Sequence, residues 1–230
     1  KIINNEFRVI TTVNRKMIFY DYRYYNQFGV TNDLIDKYVK AVESFKIDDV
    51  SNPYYYTRHD PCYEYQVNDG CIKLYFPFRN KHTANRFITN NKCPLENLET
   101  LTDTNYKLIV KSQKDKLLML RILRELRIND VGVYVIASET AKLPDDIVDV
   151  LRKTTRIQVY VMLDTDNTGL TSAIEYEKNY GFIALFMTKG YSAKDPTDLV
   201  RITDYNFVKK KFANMYLNEI VNGKKGGIVL

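Results

Sequence analysis

The sequence lacks any segment that could cross a membrane. None of its apolar runs reaches the roughly 18 residues that a transmembrane helix needs. The first residues, KIINNEFRVI, also lack the continuous apolar stretch of a signal peptide. We therefore expect a soluble protein of the cytoplasm that does not associate with membranes.

Cysteine and histidine are scarce. The three cysteines, Cys62, Cys71 and Cys93, include no C-x-x-C pair, and their odd number argues against a disulfide framework. The only histidines are His59 and His82, and a zinc site that combined them with Cys62 and Cys71 would match no common zinc module. Buried, inert thiols are the better interpretation.

The chain also contains no G-x-x-x-x-G-K-[ST] motif, so it carries no P-loop motor of the helicase type. Positive charge and tyrosine, by contrast, are plentiful. The net charge is +6, and there are 19 tyrosines but no tryptophan. Basic charge attracts polyanions and aromatic faces stack on bases, but tyrosines this numerous lie mostly in cores. Composition alone therefore leaves nucleic-acid binding open.

The composition changes character near residue 104. Before it lie short, aromatic segments punctuated by turns, including an Asn-Asp-Gly turn at residues 68–70 between two strand-like runs, which indicates a hairpin. After it, continuous apolar runs at 106–110, 131–137, 157–163 and 182–187 alternate with helix-length segments. This order predicts an α/β fold, a parallel sheet flanked by helices, preceded by a smaller basic α+β subdomain.

Charged and polar residues follow each of the four predicted strands, in the segments KSQKD, SET, DTD and KGYSAKDPTD. In the extended D-x-D, the period of two places Asp164 and Asp166 side by side, where a cation must offset their repulsion. Hard oxygen ligands suit Mg²⁺ or Mn²⁺. The pair is therefore a candidate metal site, and Gly169 lets the following helix begin close to it.

Helix capping is the alternative interpretation of these aspartates. An aspartate at a strand-to-helix junction is commonly an N-cap, and Asp195, Pro196 and Asp198 have the N-cap, N1 and N3 pattern of a well-started helix. Ligands in parallel sheets bind where the strands end. The joint placement of the aspartates at one sheet edge favours the metal site.

This ordered set of motifs resembles the TOPRIM domain of bacterial-type primases, topoisomerases and some nucleases. The preceding segment IKLYFPFRNKHTANRFITNNK is similar to the basic stretch that leads into TOPRIM in primases. The segment YYNQFGVTNDLIDKYV resembles the opening of the core in primases of tailed bacteriophages. The resemblance covers roughly residues 20–201. It implies a template-binding subdomain at 1–104, a TOPRIM catalytic domain at 105–201, and a C-terminal helix with a basic tail at 202–230.

The resemblance implies a DNA primase, which joins nucleoside triphosphates into short RNA primers on single-stranded DNA with the help of Mg²⁺ or Mn²⁺. Five aspartates would hold the metal ions: Asp115, Asp164, Asp166, Asp195 and Asp198. Asp164 and Lys111 would also be catalytic. A separate replicative helicase would be a partner, and the protein would act in the cytoplasm of an infected bacterial host.

The same resemblance implies two roles for the basic residues, nucleotide binding and template binding. Lys111 and Lys114 would bind the incoming triphosphate. Four residues would track the template backbone: Lys73, Arg79, Arg86 and Lys92. Tyr75 or Phe87 would stack on bases. Each basic residue, taken alone, is more often a solvated strand position.

One position departs from the family pattern. TOPRIM domains usually place a glutamate and a glycine after the first strand, where this chain has Lys111 and Ser112. Consecutive strands joined by a right-handed crossover are often neighbours, about 5 Å apart. Glu139, after the second strand, is therefore predicted to act in catalysis in the place of that glutamate, while Lys111 binds phosphate; the alternative is that Glu139 only caps the next turn.

Two other functions remain open at this stage. A TOPRIM nuclease, or the cleavage part of a topoisomerase, would use the same metal site to break phosphodiesters. A non-catalytic TOPRIM protein would bind DNA without changing it, although the retained D-x-D speaks against that.

Overall fold

The computed structural model describes residues 9–48, 53–68, 70–80, 82, 84–90, 93–96 and 101–221, with the backbone alone for 219 and 221. The chain forms two compact units. The first comprises Lys1–Arg23 and Asn32–Cys93, and the second comprises Tyr24–Thr31 and Pro94–Leu230. The predicted division into 1–104, 105–201 and 202–230 stays a prediction, and residues 222–230 of its last segment lie outside the described residues.

The first unit is built on an antiparallel sheet. Its strands are β1 (Ile10–Arg15), β2 (Lys40–Ile47), β3 (Tyr54–Tyr55), β4 (Tyr63–Asn68), β5 (Cys71–Tyr75) and β6 (Phe87–Thr89). They lie in the order β1-β2-β4-β5-β6, and β3 pairs with β2. Two short helices accompany the sheet, α1 (Phe19–Asn26), which continues into the second unit, and α2 (Asn32–Tyr38). The predicted hairpin is confirmed, because β4 and β5 pair antiparallel with Asn68 opposite Cys71.

The two faces of this sheet differ because side chains alternate along a strand. One face packs a small apolar core of Val42, Phe45, Cys62, Leu74 and Phe76. On the other face the pairing sets aromatic residues opposite one another along β4, β5 and β6: Tyr63 opposite Tyr75, and Tyr75 opposite Phe87.

None of the three cysteines forms a disulfide. Cys62 and Cys71 are buried, and the Sγ atoms of Cys71 and Cys93 lie 2.8 Å apart. Within the described part of the chain, the only cluster of three or more possible metal ligands is an acidic one, so the zinc alternative has no support there.

The second unit contains the predicted parallel sheet. Its strands are β7 (Leu95–Glu96), β8 (Thr104–Val110), β9 (Val131–Ile136), β10 (Thr155–Met162) and β11 (Ile183–Ala184). The spatial order is β11-β10-β8-β9-β7, with β8 to β11 parallel and β7 antiparallel at the edge. The predicted strand at 182–187 is shortened to two residues.

Helices cover both faces of this sheet. They are α3 (Gln113–Glu125), α4 (Asp145–Lys153), α5 (Asn167–Tyr180), α6 (Pro196–Ile202) and α7 (Tyr205–Met215), and a π-helical turn follows at Tyr216–Val221. Leu118 and Ile122 of α3 pack with Phe212 of α7 on one face, and Leu151 of α4 packs with Tyr176 of α5 on the other. The C-terminal parts of β8, β9 and β10 are buried, and they are mostly apolar because helices cover both faces there.

The mixed α/β fold is thus confirmed, with sheets flanked by helices. No helix in the described ranges is both long and apolar enough to cross a membrane.

Candidate active site

The sheet order brings the ends of three strands together. Because β8 lies between β9 and β10, the residues that follow these strands meet at one edge of the sheet. Lys111 follows β8, Glu139 comes three residues after β9, and Asp164 comes two residues after β10. We call this the carboxyl edge.

Three carboxylates cluster at the carboxyl edge: Glu139, Asp164 and Asp166, here called the acidic triad. One oxygen from each can be chosen so that all three lie within 4.8 Å of one another. Glu139 and Asp164 are buried, and the Glu139 Oε1 atom accepts a hydrogen bond from the Asp164 backbone N at 3.3 Å. The structure therefore brings Glu139 beside the D-x-D pair, and β9 lies next to β8 as predicted, while the catalytic role of Glu139 stays a prediction.

Two lysines pair with the acidic triad. Lys111 Nζ lies 2.9 Å from Glu139 Oε1 and also pairs with Asp164 Oδ2. Lys194 Nζ lies 3.1 Å from Asp166 Oδ2. Burial lowers the pKa of Lys111, but its bonds to the two carboxylates outweigh burial and raise that pKa above its ordinary value.

Asp164 is the most constrained member of the acidic triad. Burial raises its pKa to about 6, although the neighbouring Lys111 opposes this shift. The residue is 5% exposed, and its Oδ1 atom has no hydrogen-bond partner. A buried carboxylate oxygen without a partner is costly, and a hard divalent cation would satisfy it. The residues present therefore fit Mg²⁺ or Mn²⁺.

Asp166 serves two structural purposes at once. Its Oδ1 atom accepts a hydrogen bond from the Gly169 backbone N at 3.2 Å and caps α5, so the capping interpretation is confirmed for this residue. The Gly169 N–H, then Lys194, hold the pKa of Asp166 below its usual value. A side chain on Gly169 would place its Cβ 2.1 Å from the Asp164 carbonyl oxygen. Glycine thus allows the helix to start against the D-x-D segment.

The other predicted metal ligands form a second group around the start of α6. Asp195 caps α6 by accepting from the Asp198 backbone N at 2.7 Å, which confirms its predicted N-cap role. Asp115 is buried, its Oδ2 atom accepts from Ser112 Oγ at 2.6 Å, and its Oδ1 atom accepts from the Thr197 backbone N at 3.4 Å. Burial, then the charge of Asp195, raises the pKa of Asp115 to about 8.

These three aspartates are electrostatically linked to each other and to Asp164. Burial and then Asp195 raise the pKa of Asp198, and Asp164 contributes to the raised pKa of Asp115. Lys114 opposes both shifts, and its Nζ atom lies 4.1 Å from the centre of the Phe28 ring. The predicted roles of these aspartates in metal binding, and of Lys114 in nucleotide binding, stay predictions.

Two of the predicted template-binding residues are held inside the first unit. Arg79 bonds both carboxylate oxygens of Asp60, at 2.9 and 2.6 Å, and lies over the Phe76 ring. Arg86 donates to the Pro77 carbonyl at 3.1 Å. These contacts give both arginines a structural task, and their contact with DNA stays a prediction.

Lys73 and Phe87 are placed differently. Phe87 is 53% exposed and stacks on the buried Tyr75 ring at 5.0 Å, and Lys73 Nζ lies 5.2 Å from the Phe87 ring. Of the two predicted stacking residues, Phe87 is therefore the accessible one. Lys92, the remaining predicted template contact, lies outside the described residues.

Sequence reasoning did not single out Lys194, which contacts Asp166. The residue directly precedes Asp195 in the segment that follows the last strand, so its place at the carboxyl edge was a usable signal.

Neither a family model nor a curated protein matches the sequence. Solved structures do match the fold. The primase fragment of the bacteriophage T7 primase-helicase protein aligns with a TM-score of 0.54 at 10% identity, over 89% of this chain and 82% of that chain. The chain shares its fold with a phage primase.

A second structure extends the likeness to the primase fold. It is a complex of the bacteriophage T7 lagging-strand DNA polymerase with primase domains of two gp4 subunits, an RNA/DNA hybrid and dTTP, and the match has a TM-score of 0.53 at 10% identity, over 91% of this chain and 92% of that one. The predicted likeness to a phage primase core is confirmed at the level of the fold. A sequence identity this low does not show that the two proteins share an activity.

Proposed function

We propose that this chain is the catalytic core of a DNA primase, which synthesises short RNA primers on single-stranded DNA from nucleoside triphosphates. The observation that carries the proposal is the acidic triad at the carboxyl edge of a parallel sheet, in a chain with a phage primase fold. The reaction is a nucleotidyl transfer, and its place is DNA replication in the cytoplasm of an infected bacterium.

The acidic triad would hold Mg²⁺ or Mn²⁺, since its buried Asp164 Oδ1 atom lacks a partner and all its ligand atoms are hard oxygens. Such an ion neutralises the triphosphate and activates the attacking 3′ oxygen. Glu139 fixes the Asp164 backbone through the bond to its N–H, so it positions the D-x-D segment as well as offering a ligand. We propose that this sheet and its carboxylates form a TOPRIM domain.

The lysines at the carboxyl edge would receive the triphosphate. Lys111 and Lys194 each place an ammonium group at this edge, and the charge of Lys114 acts on Asp115 and Asp198; a polyanion is attracted by such point charges. The capping bonds of Asp195, and the contacts of Asp115 with Ser112 and the Thr197 N–H, hold the start of α6 and thereby the segment that carries Lys194.

Template binding is assigned to the first unit. The half-exposed Phe87, backed by the Tyr75 ring, offers a stacking surface for a base, and Lys73 beside it offers a charge for the neighbouring phosphate. Stacking of this kind tolerates any base, so we expect weak sequence preference along most of the template.

A helicase is the proposed protein partner. The T7 relative is a primase-helicase protein, and this chain has no P-loop motif of its own. The motor would therefore be a separate protein or another part of a longer chain.

One assay tests the proposed function. The protein is incubated with single-stranded DNA, labelled ribonucleoside triphosphates and Mg²⁺ or Mn²⁺, with Asp164→Asn as the matched inactive control. Short RNA products that disappear in the control support a primase. A shortened template means that the protein is a nuclease, and bound but unchanged DNA means a binding protein without catalysis; either result overturns the proposal.

A further inference from the structure

We infer that Lys111 occupies the position where a second divalent ion would otherwise bind, so that the acidic triad binds a single divalent cation next to a resident ammonium group. This inference rests on the proposed function for the reaction that the ion serves. The number of ions that the protein binds can be measured without any reaction.

The position of Lys111 follows from the sheet order. Since β8 lies between β9 and β10, the first residue after β8 is placed between the carboxylates that follow its two neighbours. Its Nζ atom bonds Glu139 on one side and Asp164 on the other. An ammonium group held by two carboxylates from different strands occupies the kind of place that a bridging metal ion takes.

The charges at the acidic triad also favour one ion. Three ionised carboxylates carry three negative charges, and one ammonium group together with one divalent ion balances them. A second divalent ion beside Lys111 would leave the cluster with two net positive charges before any substrate arrives, but with only one where a neutral residue replaces Lys111. Like charges so close together repel strongly.

The two lysines differ in how firmly they are held. The side chain of Lys111 is 34% exposed and makes two ion pairs, whereas that of Lys194 is 61% exposed and makes one. When an ion binds Asp166, Lys194 is therefore the lysine that leaves its carboxylate. Lys111 keeps its ion pairs with Glu139 and Asp164. Asp164 has one oxygen for each cation, because Oδ2 pairs with Lys111 and the buried Oδ1 is without a partner.

The test counts bound ions. Mn²⁺ is titrated into the whole chain without nucleotide or DNA, and free Mn²⁺ is followed by its electron paramagnetic resonance signal. We expect one ion per chain for the wild type and for Lys111→Arg, which keeps the positive charge. Lys111→Met should bind two ions, the first at least about tenfold more tightly than the wild type does, because a neighbouring positive charge is gone.

Lys178→Met is the matched control, since it removes an exposed lysine from α5 in the same unit. It should bind one ion with unchanged affinity. Two ions on the wild type would overturn the inference. One ion on Lys111→Met with unchanged affinity would overturn it equally.

Loss of Lys111 leaves two buried carboxylates without their cation, so the Lys111→Met variant is also followed by thermal unfolding. Mn²⁺ should raise its unfolding temperature more than it raises that of the wild type, and should restore folding if the metal-free variant is unfolded. Equal or smaller stabilisation contradicts the inference. Absence of primers together with the expected ion counts refutes the primase proposal alone, whereas primer synthesis by a wild type with two ions refutes the lysine inference alone.

Discussion

Asp164 has a different neighbour at each of its carboxylate oxygens. Lys111 holds Oδ2, and Oδ1 is buried without a partner. The burial that raises the pKa of this carboxyl to about 6 makes its charge unfavourable in the metal-free protein. Binding of a cation would therefore stabilise the charged form of this buried carboxylate.

Asp164→Asn and Glu139→Gln are each expected to reduce nucleotide joining at least about a hundredfold, because an amide keeps the shape but loses the charge that holds a cation. The measurement is primer synthesis with saturating Mg²⁺ or Mn²⁺. Asp149→Asn on the exposed side of α4 is the control and should keep full activity. Normal priming by Glu139→Gln with unchanged metal dependence would return Glu139 to a purely structural role.

The raised pKa of Asp115 predicts that the stability of the protein depends on pH. Its pKa in the folded protein, about 8, lies above the ordinary 3.8, so the folded state binds this proton more tightly than the unfolded state does. The stabilisation that comes from protonated Asp115 is complete below its ordinary pKa of 3.8 and is lost as the pH rises through about 8. One unit of pKa corresponds to about 1.4 kcal/mol, and such a change moves the unfolding temperature by about 2–4 °C in a domain of this size.

The measurement is the unfolding temperature between pH 5 and pH 9 in the presence of a chelator. The wild type should lose stability as the pH rises, and Asp115→Asn should lose at least about 2 °C less over the same range. Identical slopes for the two proteins would show that Asp115 titrates normally in the folded state.

At the scale of elements, β10 and the start of α5 form a tight junction. The strand β10, the D-x-D segment and the helix follow one another within a few residues, and the Gly169 backbone lies against that of Asp164. The same helix start supplies the N–H group that bonds Asp166. The bond that caps α5 therefore also fixes the position of Asp166 in the acidic triad.

Gly169→Ala is expected to lower the free energy of unfolding by about 1–3 kcal/mol and to impair priming, because the new Cβ meets the Asp164 carbonyl and moves the carboxylates. The checks are thermal unfolding and primer synthesis. Thr168→Ala, an exposed neighbour in the same turn, is the control and should be neutral or slightly stabilising. An active Gly169→Ala protein of normal stability would show that this junction can relax.

The elements themselves were largely predictable from the sequence. The buried parts of β8, β9 and β10 read as apolar runs, and the adjacency of β8 and β9, which brings Glu139 towards the end of β8, was expected from their consecutive order. Contacts of long side chains were not predictable. Arg79 bonds Asp60, 19 residues away, through the tertiary fold, and nothing in the local pattern of either residue indicates that pairing.

At the scale of the whole molecule, the net charge of +6 favours binding to a polyanion. Affinity for single-stranded DNA is expected to fall steeply with salt, because phosphate contacts release counterions. Lys73→Met should reduce the slope of log affinity against log salt by about one unit. Phe87→Ala should weaken binding by about 1–3 kcal/mol without changing the slope, because stacking involves no ion release.

Binding is measured by fluorescence anisotropy with labelled oligonucleotides at several salt concentrations. The double variant Arg79→Gln with Arg86→Gln separates two roles of these arginines. A flatter slope would support their predicted backbone contacts, whereas a lower unfolding temperature at unchanged slope would assign them to the bonds with Asp60 and Pro77. An unchanged slope in Lys73→Met would remove Lys73 from the binding surface.

The neighbouring sulfur atoms of Cys71 and Cys93 matter for the preparation of the protein. At 2.8 Å apart they need little movement to react, and peroxide would convert one thiol to a sulfenic acid that the other displaces, forming a disulfide and water. Burial raises the pKa of Cys62 and keeps it unreactive. A sample stored without reductant should therefore show one titratable thiol instead of three after denaturation, so assays on aged and fresh protein would compare two different covalent species.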